Sequence, residues 1–103
     1  MKIIEHNVSN AVYNGGRFSD GNTVVTTNDG KTSCFLHGNK IFTLDRKSNN
    51  FEWSDCCWAT QTTASRLNAC FDAVYRLTGT RWHYNYGRRC VYDTRTKLLK
   101  KSA

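Results

Sequence analysis

Five cysteines (Cys34, Cys56, Cys57, Cys70 and Cys90) and three histidines (His6, His37 and His83) are the side chains of this 103-residue chain best suited to nucleophilic, basic or soft metal-ligand chemistry. Zinc sites draw on Cys and His at short fixed spacings, and the chain has neither C-x-x-C nor H-x-H. A reactive thiol needs a neighbour that lowers its pKa, and nothing in the sequence around Cys56 or Cys57 supplies one. The count is odd and Cys56 and Cys57 are adjacent, which does not suit a disulfide framework. The cysteines are therefore expected to be reduced thiols packed as small hydrophobes. His37, beside the Gly38-Asn39 turn, and His83, inside a strand pattern, read as exposed polar residues. Gly15-Gly16 carries neither the P-loop lysine nor the dinucleotide spacing. These residues predict no enzyme, no cofactor and no metal.

Binding chemistry is better represented. The segment Arg81-Trp82-His83-Tyr84-Asn85-Tyr86-Gly87-Arg88-Arg89 interleaves aromatics with arginines. Guanidinium groups bind phosphate bidentately, and aromatic faces stack on unpaired bases. A two-stranded ribbon also fits a major groove. The alternation of Trp82, Tyr84 and Tyr86 leaves two readings open: the rings form a stacking surface, or they turn inward as core and leave a basic rim. Charge placement favours a cationic end in either case. Acids and bases balance over residues 1–75, whereas residues 76–103 hold Arg76, Arg81, Arg88, Arg89, Arg95, Lys97, Lys100 and Lys101 against Asp93 alone. Such asymmetry attracts anionic partners. Arg66, near a helix N-terminus, is a further candidate contact.

The elements that must position these groups can be read from periodicity. Residues 22–45 predict a three-stranded meander: β-branched Thr23 to Thr27, a turn at Asn28-Asp29-Gly30, a strand over 32–37, a turn at Gly38-Asn39 and a strand over 40–44. Ala11-Val12-Tyr13 is a short apolar run closed by Asn14-Gly15-Gly16, and the first half reads as strands throughout. Phe51-Glu52-Trp53 alternates as a short fourth strand. Leu67, Cys70, Phe71, Val74 and Leu77 mark one face of a helix over about 63–77, with Thr62 or Thr63 as N-cap and Gly79 at its end. Trp82–Tyr86 and Cys90–Tyr92 form a hairpin about Gly87. The predicted fold is α+β: an antiparallel β meander with one α-helix packed on it and a C-terminal β-hairpin, in the order β-β-β-(β)-α-β-β. Residues 1–95 make a single domain, and 96–103 form a basic tail expected to fray.

A hydrophobic fraction of 39% with 22% charged residues describes a folded globule rather than a disordered chain. No apolar run reaches the length of a membrane span, and Met1–His6 is too short and polar for a signal peptide. The chain is expected to act in a cytosol and away from membranes.

Three blocks carry a resemblance. Asp20-Gly21-Asn22-Thr23, then Leu36-His37-Gly38-Asn39-Lys40-Ile41, then Trp58 with Thr60, Thr62-Thr63 and Ser65-Arg66-Leu67-Asn68-Ala69 resemble small accessory proteins of tailed bacteriophages with the pattern GNT…LHGNxI…WxTxTTxxRLNA. The similarity spans about residues 20–92 and departs from the pattern at Cys56-Cys57 and in the longer basic tail. It implies a viral product working in the host bacterial cytoplasm, and implies no reaction. Two functions are then expected. One is nucleic-acid binding through Arg81, Arg88, Arg89, Arg95, Lys97 and Arg66, with Trp82 or Tyr84 as stacking platforms. The other is host modulation, in which the chain inhibits a host enzyme or defence complex (an anti-defence protein) by docking on an acidic protein surface. Simple DNA mimicry is disfavoured, because mimics are acidic and this chain has a net charge of +7.

Overall fold

Ile4, Val8, Ala11 and Val12 recur at i, i+4, i+7 and i+8, the spacing of one helical face. In the computed structural model, which describes residues 1–103, they wind into α1 (Ile3–Asn14), with Val8 and Val12 fully buried. This corrects the all-strand reading of the first half. The helix is started by Glu5, whose carboxylate accepts the Lys2 N–H at 2.7 Å. It is ended by Gly15 at φ 67°. Only glycine suits that position: a Cβ there would lie 2.8 Å from Arg46 Nε, besides the strain of a positive φ. Arg46 occupies the space because its guanidinium donates to the last-turn carbonyls of Val12 (2.6 Å) and Tyr13 (2.7 Å). A cation from a distant loop thus caps a helix that has no basic residue in its own last turn.

The meander and its short fourth strand are as predicted, and one further strand precedes them. β1 (Phe18–Asp20), β2 (Thr23–Asn28), β3 (Lys31–Leu36), β4 (Asn39–Asp45) and β5 (Phe51–Trp53) form one antiparallel five-stranded sheet in sequence order. Val25, Cys34 and Phe42 stand in register across it, with a bulge at Cys34/Phe35. Its inner face carries Val25, Cys34, Leu36, Ile41, Leu44, Phe51 and Trp53, all buried.

The second helix, α2 (Gln61–Thr78), starts two residues before the predicted start. Thr60, rather than Thr62 or Thr63, is the N-cap, accepting the Thr63 N–H at 3.1 Å. The two helices run side by side in the same direction, joined by Ser65–Glu5 (2.6 Å), Ser9–Asp72 (2.7 Å) and Arg76–Asn10 (2.9 Å) hydrogen bonds. Phe71 is fully buried and meets the rings of Phe42 and Phe51 at 5.9 and 5.3 Å.

A second sheet follows: β6 (Trp82–Asn85), β7 (Cys90–Asp93) and β8 (Leu99–Lys100). The predicted hairpin is present, but residues 96–103 are not a frayed tail. β8 pairs with β7, the Lys100 carbonyl accepts Trp53 Nε1–H at 2.9 Å, and the Ala103 N–H reaches the Trp53 carbonyl at 2.8 Å. The tail is held because it pairs with β7 on one side and closes on Trp53, at the end of edge strand β5, on the other. On the other side Asn68 of α2 covers the edge of β6, accepting the Tyr84 N–H at 2.8 Å and donating to the Tyr84 carbonyl at 3.2 Å.

Phe71 and Leu67 are both fully buried. Phe71→Ala should cost about 3–5 kcal/mol and Leu67→Ala about 2–5 kcal/mol through the cavities they leave. Urea melts of each variant check this, and transitions overlaying wild type would refute the packing.

Candidate functional site

The turn from β6 to β7 hangs on one carboxylate. Asp55, 7% exposed in the loop before α2, accepts Arg89 Nε and Nη2 at 2.9 Å each, the Tyr84 hydroxyl at 2.9 Å and the Cys57 N–H at 3.0 Å. Arg89 sits at φ 52° and Cys56 and Cys57 at φ 52° and 63°, conformations that non-glycine residues hold only when their surroundings enforce them. The Arg89 hydrogen bond outweighs the opposing effect of burial and keeps the Asp55 carboxyl below its ordinary range, with the Tyr84 hydroxyl assisting. Burial, and then Asp55 itself, raise the Tyr84 phenol well above its usual value.

The structure sorts the sequence-predicted residues into three places. Tyr84 is fully buried and Trp82 packs its ring 5.6 Å from Phe51. Tyr84 therefore has no free face for stacking and half-buried Trp82 is turned toward Phe51, because β6 buries one face against α2 and β5. Arg66 is also interior, 9% exposed, donating to Thr23 Oγ1 at 2.8 Å and Ser65 Oγ at 2.9 Å. It braces α2 on the meander rather than offering itself to an anion. Arg81 and Arg95 line one surface groove of about 530 Å³ with Tyr75. There Arg81 lies 3.6 Å from Asp72 and 4.0 Å above the Tyr75 ring. Arg88 and Lys97 line another groove, of about 390 Å³, with Asn85, Cys90, Tyr92 and Leu99.

That second groove is the outward face of the C-terminal sheet. Tyr84 and Val91 pair and point inward, so His83, Tyr92 and Leu99, in register across the three strands, point outward. Tyr92 was not singled out by sequence, although its offset from buried Val91 in the same strand puts it on the open face. His83 packs edge-on against it at 5.7 Å, and Lys97 Nζ stands 5.5 Å from its ring. Burial pushes the His83 imidazole below its ordinary pKa. Lys97 and Arg95 are carried outward by a tight turn in which the Asp93 carboxylate accepts the Arg95 N–H at 2.9 Å. The molecule forms only two ion pairs, Arg81–Asp72 and Arg89–Asp55, so Arg88, Arg95 and Lys97 keep exposed, unpaired charges.

Of the three aromatics of the Arg81–Arg89 segment only Tyr86 is exposed, and Trp58, in the loop before α2, is a further exposed ring that was not among the predicted contacts. Tyr86 is 42% and Trp58 62% exposed, and the Tyr86 hydroxyl accepts Gln61 Nε2–H at 3.2 Å. The cysteines divide: Cys34 and Cys70 are buried as expected, Cys56 and Cys90 are half-buried, and Cys57 is exposed. No three His, Cys, Asp or Glu side chains gather as a metal-binding group. No helix is long and apolar enough to cross a membrane.

Fold and site together define a small two-sheet α+β domain whose C-terminal sheet presents an open cationic face. Residues 1–97 match the family model of the Kyanoviridae Gp96 protein, and the chain belongs to that family. It is thus a bacteriophage protein, as the resemblance implied. No curated protein and no solved structure matches it.

The Asp55 cluster has a defined pH signature. A carboxyl with a depressed folded pKa contributes stability above its unfolded value, 3.8, and loses it as pH falls through the folded value. Asp55→Asn should cost about 1.5–3 kcal/mol near pH ~7, and the gap to wild type should close as pH drops below 3.8. Urea unfolding of both proteins across that range measures it. A gap independent of pH would show that the charge of Asp55 is not what holds the turn.

Proposed function

We propose that this phage protein is an accessory factor that binds nucleic acid, without catalysing a reaction, in the cytoplasm of its bacterial host. The observation that carries this reading is the outward face of the C-terminal sheet. Arg88 and Lys97 flank Tyr92 on one open groove, and neither cation has a carboxylate partner. Cations spaced around a half-buried ring that keeps one side on the open face suit a phosphate backbone with accessible bases. Arg89 and Arg81 add little, since their guanidinium groups already serve Asp55 and Asp72. Arg95 extends the face from the neighbouring groove. The absence of catalysis is supported by the histidines: the His37 ring nitrogen faces the Asn22 amide at 3.4 Å and the His83 ring packs on Tyr92. Neither is coupled to a nucleophile.

Docking on an acidic host protein makes a different prediction. Phosphate contacts give a log–log salt slope of about −0.7 per contact on single strands and −0.9 on duplex. The Arg88→Ala/Lys97→Ala double variant should therefore flatten the slope by about 1.5 and melt like wild type, because neither side chain supports the core. Anisotropy titrations of a labelled oligonucleotide at several salt concentrations measure it. An unchanged slope refutes the face as the binding site, and the absence of binding at low salt refutes the function. Capture of a host protein through the same two residues would move the reading to the protein partner.

A further inference from the structure

We infer that the pocket walled by Trp58 and His37 holds one unstacked, pyrimidine-sized base of a bound single strand. This rests on the nucleic-acid reading above and assigns it a second, base-binding element beyond the cationic face.

The pocket lies where the β3–β4 turn meets the loop before α2. Its volume is about 180 Å³. That is close to the roughly 150 Å³ of a cavity that admits a benzene-sized ring, and below the range of drug-sized ligand sites. Leu36 and Ile41, both buried, form an apolar floor. The exposed Asn39 amide and Thr62 hydroxyl stand on the lining, able to meet the polar edge of a heterocycle. One wall is aromatic: the Trp58 and His37 rings lie 6.3 Å apart and 24° from parallel.

Trp58 is held for display rather than for packing. Its N–H donates to the Asp55 carbonyl at 2.8 Å, and its carbonyl accepts the Thr63 hydroxyl at 2.8 Å. The backbone is thereby fixed at both ends while the indole stays 62% exposed. An anchored, solvent-exposed indole gains more from a flat partner than from water, and every base has a π-face to offer. His37, at φ 51°, is likewise anchored, its N–H donating to the Asn22 carbonyl at 2.8 Å.

The neighbourhood says which flat partner. The pocket wall is tied to the arginine turn twice, by Arg89 on Asp55 and by Gln61 on the Tyr86 hydroxyl. These two ties make the arginine turn and the pocket loop neighbours, so a strand held at the turn is the flat-partner source nearest the pocket. Asp55 lines the pocket, but its charge is already matched by Arg89, so it does not repel a neutral base.

The experiment compares labelled strands of about 12 nucleotides, within the site size such proteins cover: an abasic strand, the same strand with one central thymidine, and the same with one central deoxyadenosine. Wild type should bind the thymidine strand about tenfold more tightly than the abasic one, the worth of one base–aromatic stack, and gain less from the larger purine. Trp58→Ala should erase the thymidine gain and leave abasic affinity and salt slope unchanged. Trp58→Tyr should keep most of the gain. If Trp58→Ala retains the thymidine preference, or weakens both strands equally, the pocket assignment is overturned while the cationic face stands. Equal gains from both bases overturn the size assignment. Wild type binding no strand at low salt overturns the nucleic-acid reading and this one with it.

Discussion

The Asp55 carboxylate is the constraint on which the functional half of the molecule depends. It collects a bidentate guanidinium, a phenol and a backbone N–H, and each comes from a different piece of chain. Arg89 fixes the β6–β7 turn, Tyr84 fixes the strand beneath it, and Cys57 fixes the loop that leads into α2. A buried carboxylate is costly to desolvate unless its lone pairs are filled. Here they are filled, and the molecule leaves no buried side-chain polar atom without a partner. The same cluster explains why Cys56 and Cys57 tolerate positive φ. Asp55 and Ser54 accept their N–H groups at 3.0 and 2.9 Å, so the strained loop is over-determined.

What periodicity could show and what it could not follow from the range of the interactions. The meander and α2 were legible because their signals are local: β-branched runs with Asp29-Gly30 and Gly38 turns, and a 3.6-residue apolar face. α1 was hidden by composition. Asn7, Ser9, Asn10 and the β-branched Ile and Val are poor helix formers, yet tertiary burial of Val8 and Val12 and the cap from Arg46 override that preference. Glu5 at the third helical position and Gly15 after the last turn were the available cues. The tail was misread for the complementary reason: a charged, short segment is expected to fray unless something distant holds it. Trp53 does so from across the molecule, and no local pattern announces that.

At the candidate site the arginines were found and the aromatics were exchanged. Alternation identified a half-buried strand but left its inward parity open. Resolving the parity turns Trp82 and Tyr84 inward, puts half-buried Tyr92 on the open face, and leaves Tyr86 and Trp58 as the exposed rings near the site. The inward assignment follows from geometry, since β6 has α2 on its edge and Phe51 and Trp53 against its inner residues. A strand in that position buries its large rings and shows the smaller groups between them. Arg66 was likewise drawn inward, where its Nε is used by Thr23.

Charge in this chain therefore plays two roles that the sequence total of +7 merges. Arg46, Arg66, Arg76, Arg81 and Arg89 are committed to carbonyls, hydroxyls, rings or carboxylates of the protein itself. Only Arg81 and Arg89 are neutralised by a carboxylate. The other three keep their charge, so they still contribute to the long-range potential that steers an anion inward. They cannot contribute a close contact without leaving their structural partners. Arg88, Arg95 and Lys97 can. Steering thus draws on the whole cationic surplus, while at the C-terminal sheet close contact falls to these few side chains. A net charge this large can coexist with a small footprint, and the number of contacts, not the net charge, sets the salt dependence of binding. The turn that presents Arg88 is held by Asp55, so the carboxylate that stabilises the fold also places its free cation.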